Sequence, residues 1–126
     1  MNKGPAGEQW ETIAGNALRQ QGLKIRERNF SCRLGEIDII AESRDTLVFV
    51  EVRYRTHRAF GDAATSVTLH KRQRIIRAAK FYLANNPSLA NRLMRFDVIA
   101  FDGVEAATHK PRARWIKAAF DASGAI

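Results

Sequence analysis

The sequence predicts an α/β fold in which a mixed β-sheet is flanked by helices. Two stretches carry apolar residues at helical spacing, and four carry the alternating or β-branched residues of strands. A helix comes first along the chain and another separates the third strand from the fourth, an order typical of a mixed sheet. The chain of 126 residues suits one compact domain, and residues 1–6 are expected to form a loose leader.

The first half of the chain predicts one helix and three strands. Apolar residues three and four positions apart predict a helix over residues 8–21, which ends before Gly22. Alternating and β-branched residues then predict strands over residues 23–30, 35–42 and 46–54. Since only a short polar stretch separates the last two strands, we expect them to form an antiparallel hairpin.

The second half predicts a loop over residues 55–68 and a helix from Leu69 to about Asn85. A fourth strand is expected over residues 95–101. The final element, within residues 109–121, fits either a strand or a short helix, and the pattern leaves both open.

The chain is strongly basic. Lys and Arg total 21 against 13 Asp and Glu, which gives a formal net charge of +8. Such an excess favours a polyanionic partner, namely DNA, RNA or an anionic membrane surface. A basic protein that is merely soluble fits the charge as well, so charge alone does not name the partner.

The compartment is predicted from what the sequence lacks. No apolar run is long enough to cross a bilayer, and no apolar stretch follows the N-terminal Lys3, as a secretory signal would require. A cytoplasmic location is therefore expected. The single Cys32 cannot form an internal disulfide and is interpreted as a small apolar side chain.

Two carboxylates interrupt otherwise apolar strands, Asp38 in GEIDIIAE and Glu51 in TLVFVEVRY. Burying an unpaired carboxylate is costly, so each needs a positive partner. If the hairpin turn is centred between residues 44 and 45, Asp38 lies directly opposite Glu51, with Cβ atoms about 4.5–5.5 Å apart. A divalent cation that prefers oxygen ligands, Mg²⁺ or Mn²⁺, fits between two such carboxylates.

Less specific explanations stay open from the residues alone. Asp38 and Glu51 fit a structural ion pair with Arg53 or Arg55 about as well as a metal site. Glu11 lies at the edge of the apolar stripe of the first helix, and an acid in a first helical turn is already favoured by the helix dipole. Geometry alone therefore favours a helix-boundary role for Glu11.

The sequence GEIDIIA at residues 35–41, followed by FVEVRYR at 49–55, resembles the YraN-type family of bacterial proteins. That family resembles a branch of the PD-(D/E)xK nuclease superfamily, close to archaeal Holliday junction resolvases. The resemblance implies a single nuclease-like domain over residues 1–126 with a restriction-endonuclease-like fold. It extends along most of the chain, through GEQWE at residues 7–11, Lys71, RFDV at 95–98 and WIKAAF at 115–120.

The resemblance also implies a catalytic site. Asp38 and Glu51 are expected to bind Mg²⁺ or Mn²⁺, and Glu11 is expected to complete the metal site as the acid from the helix. The superfamily's Lys, two residues after the last acid, is replaced here by Arg53. An Arg does not in practice give up a proton as a Lys can, but Arg53 is expected to hold the scissile phosphate or stabilise its developing charge.

The function implied by the resemblance is a divalent-metal-dependent DNA endonuclease, with branched DNA as a candidate substrate. The replacement of the superfamily's Lys by Arg53 keeps open a non-catalytic nucleic-acid-binding module that retains the fold. A structural or assembly protein whose acids only form ion pairs is a third reading.

Basic residues cluster after the last acid, along the second helix and in the C-terminal stretch. One charged helix face is usually just solvated, but three clusters with few acids between them favour a surface that follows phosphates. DNA is the expected partner and a membrane is not, while the oligomeric state is open, with a homodimer as one option. The expected nucleic-acid-binding residues are Arg53, Arg55, Arg58, Lys71, Arg74 and Arg77.

Overall fold

The computed structural model describes residues 5–54, 67–104, 107–108 and 111–126. None of the helices in these ranges combines the length and the apolar character needed to span a bilayer. The elements are α1 (Pro5–Gln20), β1 (Lys24–Cys32), β2 (Gly35–Glu42), β3 (Thr46–Tyr54), α2 (Leu69–Ala84), a 3₁₀ helix (Pro87–Leu89), β4 (Leu93–Val104) and β5 (Pro111–Phe120).

The β2–β3 hairpin has the predicted boundaries, and the final element, left open between strand and helix, is a strand. The loose leader is wrong for residues 5 and 6, because α1 already begins at Pro5. Proline suits a first helical position, where its fixed φ is helical and its missing N–H costs nothing. Residues 1–4, and most of the loop predicted over 55–68, lie outside the described residues.

The five strands form one sheet in the order β1-β2-β3-β4-β5. Neighbouring strands are antiparallel except for β3 and β4, which are parallel. The connection between these two contains α2, as a parallel pair requires a crossover. The predicted α/β fold with a mixed, helix-flanked sheet is confirmed, and it is consistent with a restriction-endonuclease-like fold.

The two faces of the sheet bury separate cores. On β3, Val48 and Val50 belong to the core that contains Ala14 and Leu18 of α1. Phe49, between them, belongs to the core that contains residues of α2. A strand covered on both faces is apolar at successive positions, which explains the uninterrupted run LVFV in this strand. An acid inside such a run lies in the interior whichever face it takes.

The path of α2 is fixed at its start and along its buried face. The Thr68 side chain caps the helix by accepting a hydrogen bond from the Lys71 amide at 3.1 Å. Near the middle, α2 approaches the start of β2 so closely that a Cβ added to Gly35 would lie 2.7 Å from the Arg74 carbonyl oxygen. The glycine of GEIDII therefore allows the helix to pack against the sheet. The buried residues of α2 are Ile75, Ile76, Ala78, Ala79 and Tyr82.

Candidate functional site

Four carboxylate side chains are buried within the described residues. Glu11 and Asp97 are fully buried, while Asp38 and Glu51 are each 5 % exposed. Three of the four were predicted as site residues from the sequence, and Asp97 was not. Since charges are rarely buried without a compensating contact, the partners of each acid indicate what it does.

The hairpin register agrees with the sequence prediction as far as the backbone ladder runs. The Ser43 amide donates to the Thr46 carbonyl at 2.9 Å, and the ladder continues to the pair Ile39–Val50. One further step in the same register places Asp38 opposite Glu51. The predicted turn centre between residues 44 and 45 is therefore confirmed.

Asp38 lies where that ladder ends. The Val52 amide donates to Asp38 Oδ2 at 2.8 Å, so a side chain and not a backbone carbonyl joins the strands at this point. The side chains beside it also pack in different cores, Ile37 on the α2 side and Ile39 on the α1 side. In a regular strand these two residues would share one face. The regular alternation of side chains between the two faces is thus interrupted at Asp38.

Glu51 faces the beginning of α2. It is two residues after Phe49, which belongs to the core on the α2 side, and the β3–β4 register stays regular through Tyr54. Lys71 Nζ lies 3.2 Å from Glu51 Oε1. Because a crossover helix starts near the carboxyl end of the preceding parallel strand, the first turn of α2 is well placed to meet this acid.

An ion pair at these acids was predicted as an alternative, with Arg53 or Arg55 as the cation. One cation that the structure brings to Glu51 is Lys71. Arg55 lies outside the described residues. The sequence predicts a nucleic-acid-binding role for Lys71, and no local sequence signal connects it to an acid twenty positions earlier.

Glu11 is positioned by α1 and by β1. Its side chain is fully buried, and Arg28 Nη2 lies 3.7 Å from its Oε1. The same guanidinium nitrogen donates to the Glu8 carbonyl at 3.2 Å. The first-turn explanation for Glu11 is wrong, because the helix begins at Pro5 and Glu11 lies in its second turn. Sequence reasoning missed Arg28, which is one of several charged residues on β1.

A metal ion would have to fit this arrangement. Within the described residues, no group of three or more His, Cys, Asp or Glu side chains is arranged to hold one. A three-carboxylate cluster of Glu11, Asp38 and Glu51 is therefore not preassembled, and the metal-binding roles of these residues stay predictions. Mg²⁺, however, is usually bound through one or two carboxylates, with water and substrate phosphate completing its shell. The chemistry of the buried pair Asp38 and Glu51 fits that mode.

Asp97 shows a different environment. Arg95 binds it bidentately, with Nε donating to Oδ1 at 2.9 Å and Nη2 to Oδ2 at 3.0 Å. Trp115 Nε1 donates to Oδ2 at 2.8 Å, and the Ala118 amide donates to Oδ1 at 2.9 Å. Four donors on β4 and β5 thus surround one carboxylate. Asp97 thus links β5 to β4 through hydrogen bonds. The sequence signal that could have identified it is an acid within an otherwise apolar strand, in RFDVIAF.

The predicted nucleic-acid-binding residues are distributed over two elements. Arg74 and Arg77 are exposed on α2, and Arg53 is half-buried near the end of β3. Arg55 and Arg58 lie outside the described residues. Arg72, another cation of α2, connects this helix to the C-terminal residues, because its Nε donates to the Gly124 carbonyl at 2.8 Å.

Comparisons with known proteins place the chain among similar sequences. A sequence model described as "Uncharacterised protein family UPF0102" matches residues 10–101, a segment that includes Glu11, Asp38 and Glu51. A UPF0102 protein of Nitrosococcus oceani is 44 % identical over 114 residues, which is 90 % of each chain. One of Pseudomonas aeruginosa is 45 % identical over 116 residues, 92 % of each chain. One of Alcanivorax borkumensis is 44 % identical over 121 residues, 94 % of each chain.

Proposed function

The chain belongs to protein family UPF0102, and we propose that it acts as a divalent-metal-dependent endonuclease on DNA. One observation carries the proposal: Asp38 and Glu51, each 5 % exposed, come from neighbouring strands at the point where the backbone ladder between those strands ends. The Lys71 ammonium offsets part of the charge at Glu51, and a divalent cation between the two carboxylates would offset the charge of both. The net charge of +8 adds a preference for a polyanionic substrate.

The protein's own groups would prepare the site before any ligand arrives. The Val52 amide orients the Asp38 carboxylate through a 2.8 Å hydrogen bond, and rigid strands orient site residues more precisely than loops. Asp38 and Glu51 would hold the ion, and a metal-binding role for Glu11 stays a prediction. A bound Mg²⁺ or Mn²⁺ would supply Lewis acidity toward the phosphate and lower the pKa of a bound water.

Arginine side chains would hold the DNA. Arg53 shares a face of β3 with Glu51, so its guanidinium can bind the phosphate next to the metal ligands. Arg74 and Arg77 extend the positive surface along α2, and Arg55 and Arg58 follow β3 directly. Contacts of this kind recognise phosphates and not sequence. A cytoplasmic location agrees with this function and stays a prediction, as does a homodimer.

The test is strand cleavage of labelled branched, single-stranded and duplex DNA with Mg²⁺ or Mn²⁺. Glu51→Gln should lower the rate by about 10²-fold or more, because it removes a charged metal ligand. Asp38→Asn should do the same, although its remaining oxygen can still accept the Val52 amide. Glu27→Gln, a change in an exposed acid of β1, is the matched control and should cleave like the wild type. Equal cleavage by all four proteins would refute the metal site.

A second candidate function is supported by Arg53. The superfamily's Lys is absent at this position, so the chain would be a nucleic-acid-binding module that retains the fold without the chemistry. The two functions differ in one outcome. Salt-sensitive DNA binding without cleavage of any DNA form, in either metal ion, would favour the binding module.

A further inference from the structure

The contact between Lys71 and Glu51 joins an ammonium on a partly exposed side chain to a buried carboxylate. The Glu51 carboxylate is 5 % exposed, on a strand in the middle of the sheet, whereas the Lys71 side chain is 45 % exposed. The Lys71 backbone is fixed by the Thr68 cap. The four-carbon stem of Lys71 can therefore swing toward solvent while the acid and the helix stay in place.

Helix stability does not explain a lysine at this position. The N-terminal end of a helix is the positive end of its dipole, which favours acids and disfavours cations. The first turn of α2 nevertheless contains no acid, and it carries His70, Lys71 and Arg72 in succession. Arg72 has a structural task, since it binds the Gly124 carbonyl. The observation that accounts for Lys71 is its contact with Glu51.

We propose that Lys71 is an exchangeable counter-ion of the candidate metal site. In the metal-free protein its ammonium neutralises Glu51, and a divalent cation displaces it from that carboxylate. The displaced ammonium then binds the substrate phosphate next to the ion. This inference rests on the proposed metal-dependent function. It adds that Lys71 competes with the metal ion for Glu51 and that Lys71 binds the substrate phosphate once displaced.

The exchange follows from the chemistry of the three groups. An ammonium and a divalent ion compete for the same carboxylate oxygen, and the ion brings twice the charge. A phosphate that completes the shell of Mg²⁺ would lie within reach of a side chain rooted in the adjacent helix turn. A compact ammonium is the donor type that the strand lacks at position 53, where Arg53 offers a planar guanidinium instead.

The test measures Mn²⁺ affinity by calorimetry without DNA. Lys71→Met should bind Mn²⁺ about 2- to 5-fold more tightly than the wild type, since an ion pair partly exposed to solvent commonly represents a factor of that size. Lys80→Met is the matched control, because Lys80 is exposed on the same helix and the change in charge is identical. The control should bind Mn²⁺ like the wild type.

A second measurement distinguishes exchange from a structural role. Lys71→Met should weaken DNA binding measured with saturating Ca²⁺, so metal affinity and DNA affinity change in opposite directions. Lys71→Arg keeps the positive charge, so its Mn²⁺ affinity and its DNA affinity should both lie between those of Lys71→Met and the wild type. Thermal unfolding of each variant checks the fold, and Lys71→Gln replaces the methionine variant if that one unfolds.

The outcomes separate the two proposals. Unchanged or weaker Mn²⁺ binding in Lys71→Met, with a wild type that binds Mn²⁺ and cleaves DNA, overturns the counter-ion role alone. A wild type that binds no Mn²⁺ overturns both. Tighter Mn²⁺ binding in Lys80→Met as well would reduce the effect to net charge and overturn the specific role of Lys71.

Discussion

Asp97 and Glu51 are buried carboxylates at adjacent steps of the same pair of parallel strands. Asp97 pairs with Val50, and Glu51 pairs with Val98. The side chains lie on opposite faces of the sheet, since Val50 belongs to the core on the α1 side and Val98 to that on the α2 side. Burial and secondary structure are thus nearly equal at the two acids, and the difference between them lies in their partners.

The donors at Asp97 are fixed: the Arg95 guanidinium, the Trp115 indole and the Ala118 amide all belong to strands of the same sheet. One cation at Glu51 is the ammonium of Lys71, whose side chain is nearly half exposed. An acid surrounded by rigid donors stabilises one structure, whereas an acid held by a mobile ammonium can exchange that partner for another cation. The exposure and location of the partner, more than burial of the acid, separate the two: Lys71 is 45 % exposed on a helix, whereas Arg95 is 31 % exposed on the same strand as Asp97.

The largest effect that tests this comparison is expected at Asp97. Asp97→Ala leaves the Arg95 guanidinium and two further donors without their buried acceptor, so the free energy of unfolding should fall by about 3–5 kcal/mol. Urea unfolding measures the loss. Asp38→Asn, which keeps an oxygen for the Val52 amide, is the comparison and should lose about 1 kcal/mol or less. Equal losses in the two variants would remove the distinction between the acids.

The next effect tests the catalytic role proposed for Arg53. Arg53→Ala should remove one charge-assisted contact to the transition state, worth about 2–4 kcal/mol, or about 10²–10³ in rate, while DNA binding is largely kept. Arg53→Lys should keep or raise the rate, because Lys supplies the charge and is the usual residue of the nuclease superfamily that the sequence resembles. Arg19→Ala, in the last turn of α1, is the control. No cleavage by the wild type and none restored by Arg53→Lys would favour the binding module.

A third prediction tests the packing role of Gly35, the glycine of GEIDII, separately from the chemistry of the acids in that motif. Gly35→Ala should destabilise the protein by about 1–3 kcal/mol, because its Cβ would lie 2.7 Å from the Arg74 carbonyl oxygen. Gly15→Ala meets no atom within 4 Å and lies inside α1, so it should stabilise by about 0.5–1 kcal/mol. Chemical unfolding of the two variants should give changes of opposite sign. The same sign in both would mean that the β2–α2 approach is not the constraint at Gly35.

The hairpin and its register could be predicted because they depend on neighbouring residues. Three polar residues between two apolar strands fix the turn, and period-two alternation fixes which residues face each other. The resemblance to the YraN-type family, carried mainly by this same hairpin, is confirmed by the match to UPF0102 over residues 10–101. Local patterns and a specific motif were therefore enough for the fold class and for the hairpin register, which is observed from Glu42–Leu47 to Ile39–Val50.

The partners of the acids could not be predicted in the same way. Lys71 reaches Glu51 only because the crossover returns α2 to the end of β3, and Arg28 reaches Glu11 only because β1 runs beneath α1. The Ala118 amide reaches Asp97 from a residue whose φ of 50° is unusual for a side chain with a Cβ. Each of these contacts spans seventeen or more positions in the sequence, beyond the reach of helical or strand periodicity.

The smallest expected effect is the pH dependence at Glu42, at the far end of β2 from Gly35. Burial disfavours the charged form, but hydrogen bonds from Arg26 and Arg92 outweigh it and lower the pKa of Glu42 below its ordinary value of 4.5. A carboxyl with a lowered folded pKa stabilises the protein above the unfolded pKa, and this contribution is lost as pH falls through the folded pKa.

The free energy of unfolding of the wild type should therefore be about 0.5–1 kcal/mol higher than that of Glu42→Gln at pH 7. This difference should shrink steadily below pH 4.5. Urea unfolding at several pH values measures it, with Glu27→Gln, in an exposed acid, as the control. A difference that stays constant down to acidic pH would show that Glu42 acts through packing and not through its charge. Glu42 would then resemble neither Asp97, which is held by hydrogen-bond donors of the sheet, nor Glu51, the candidate metal ligand.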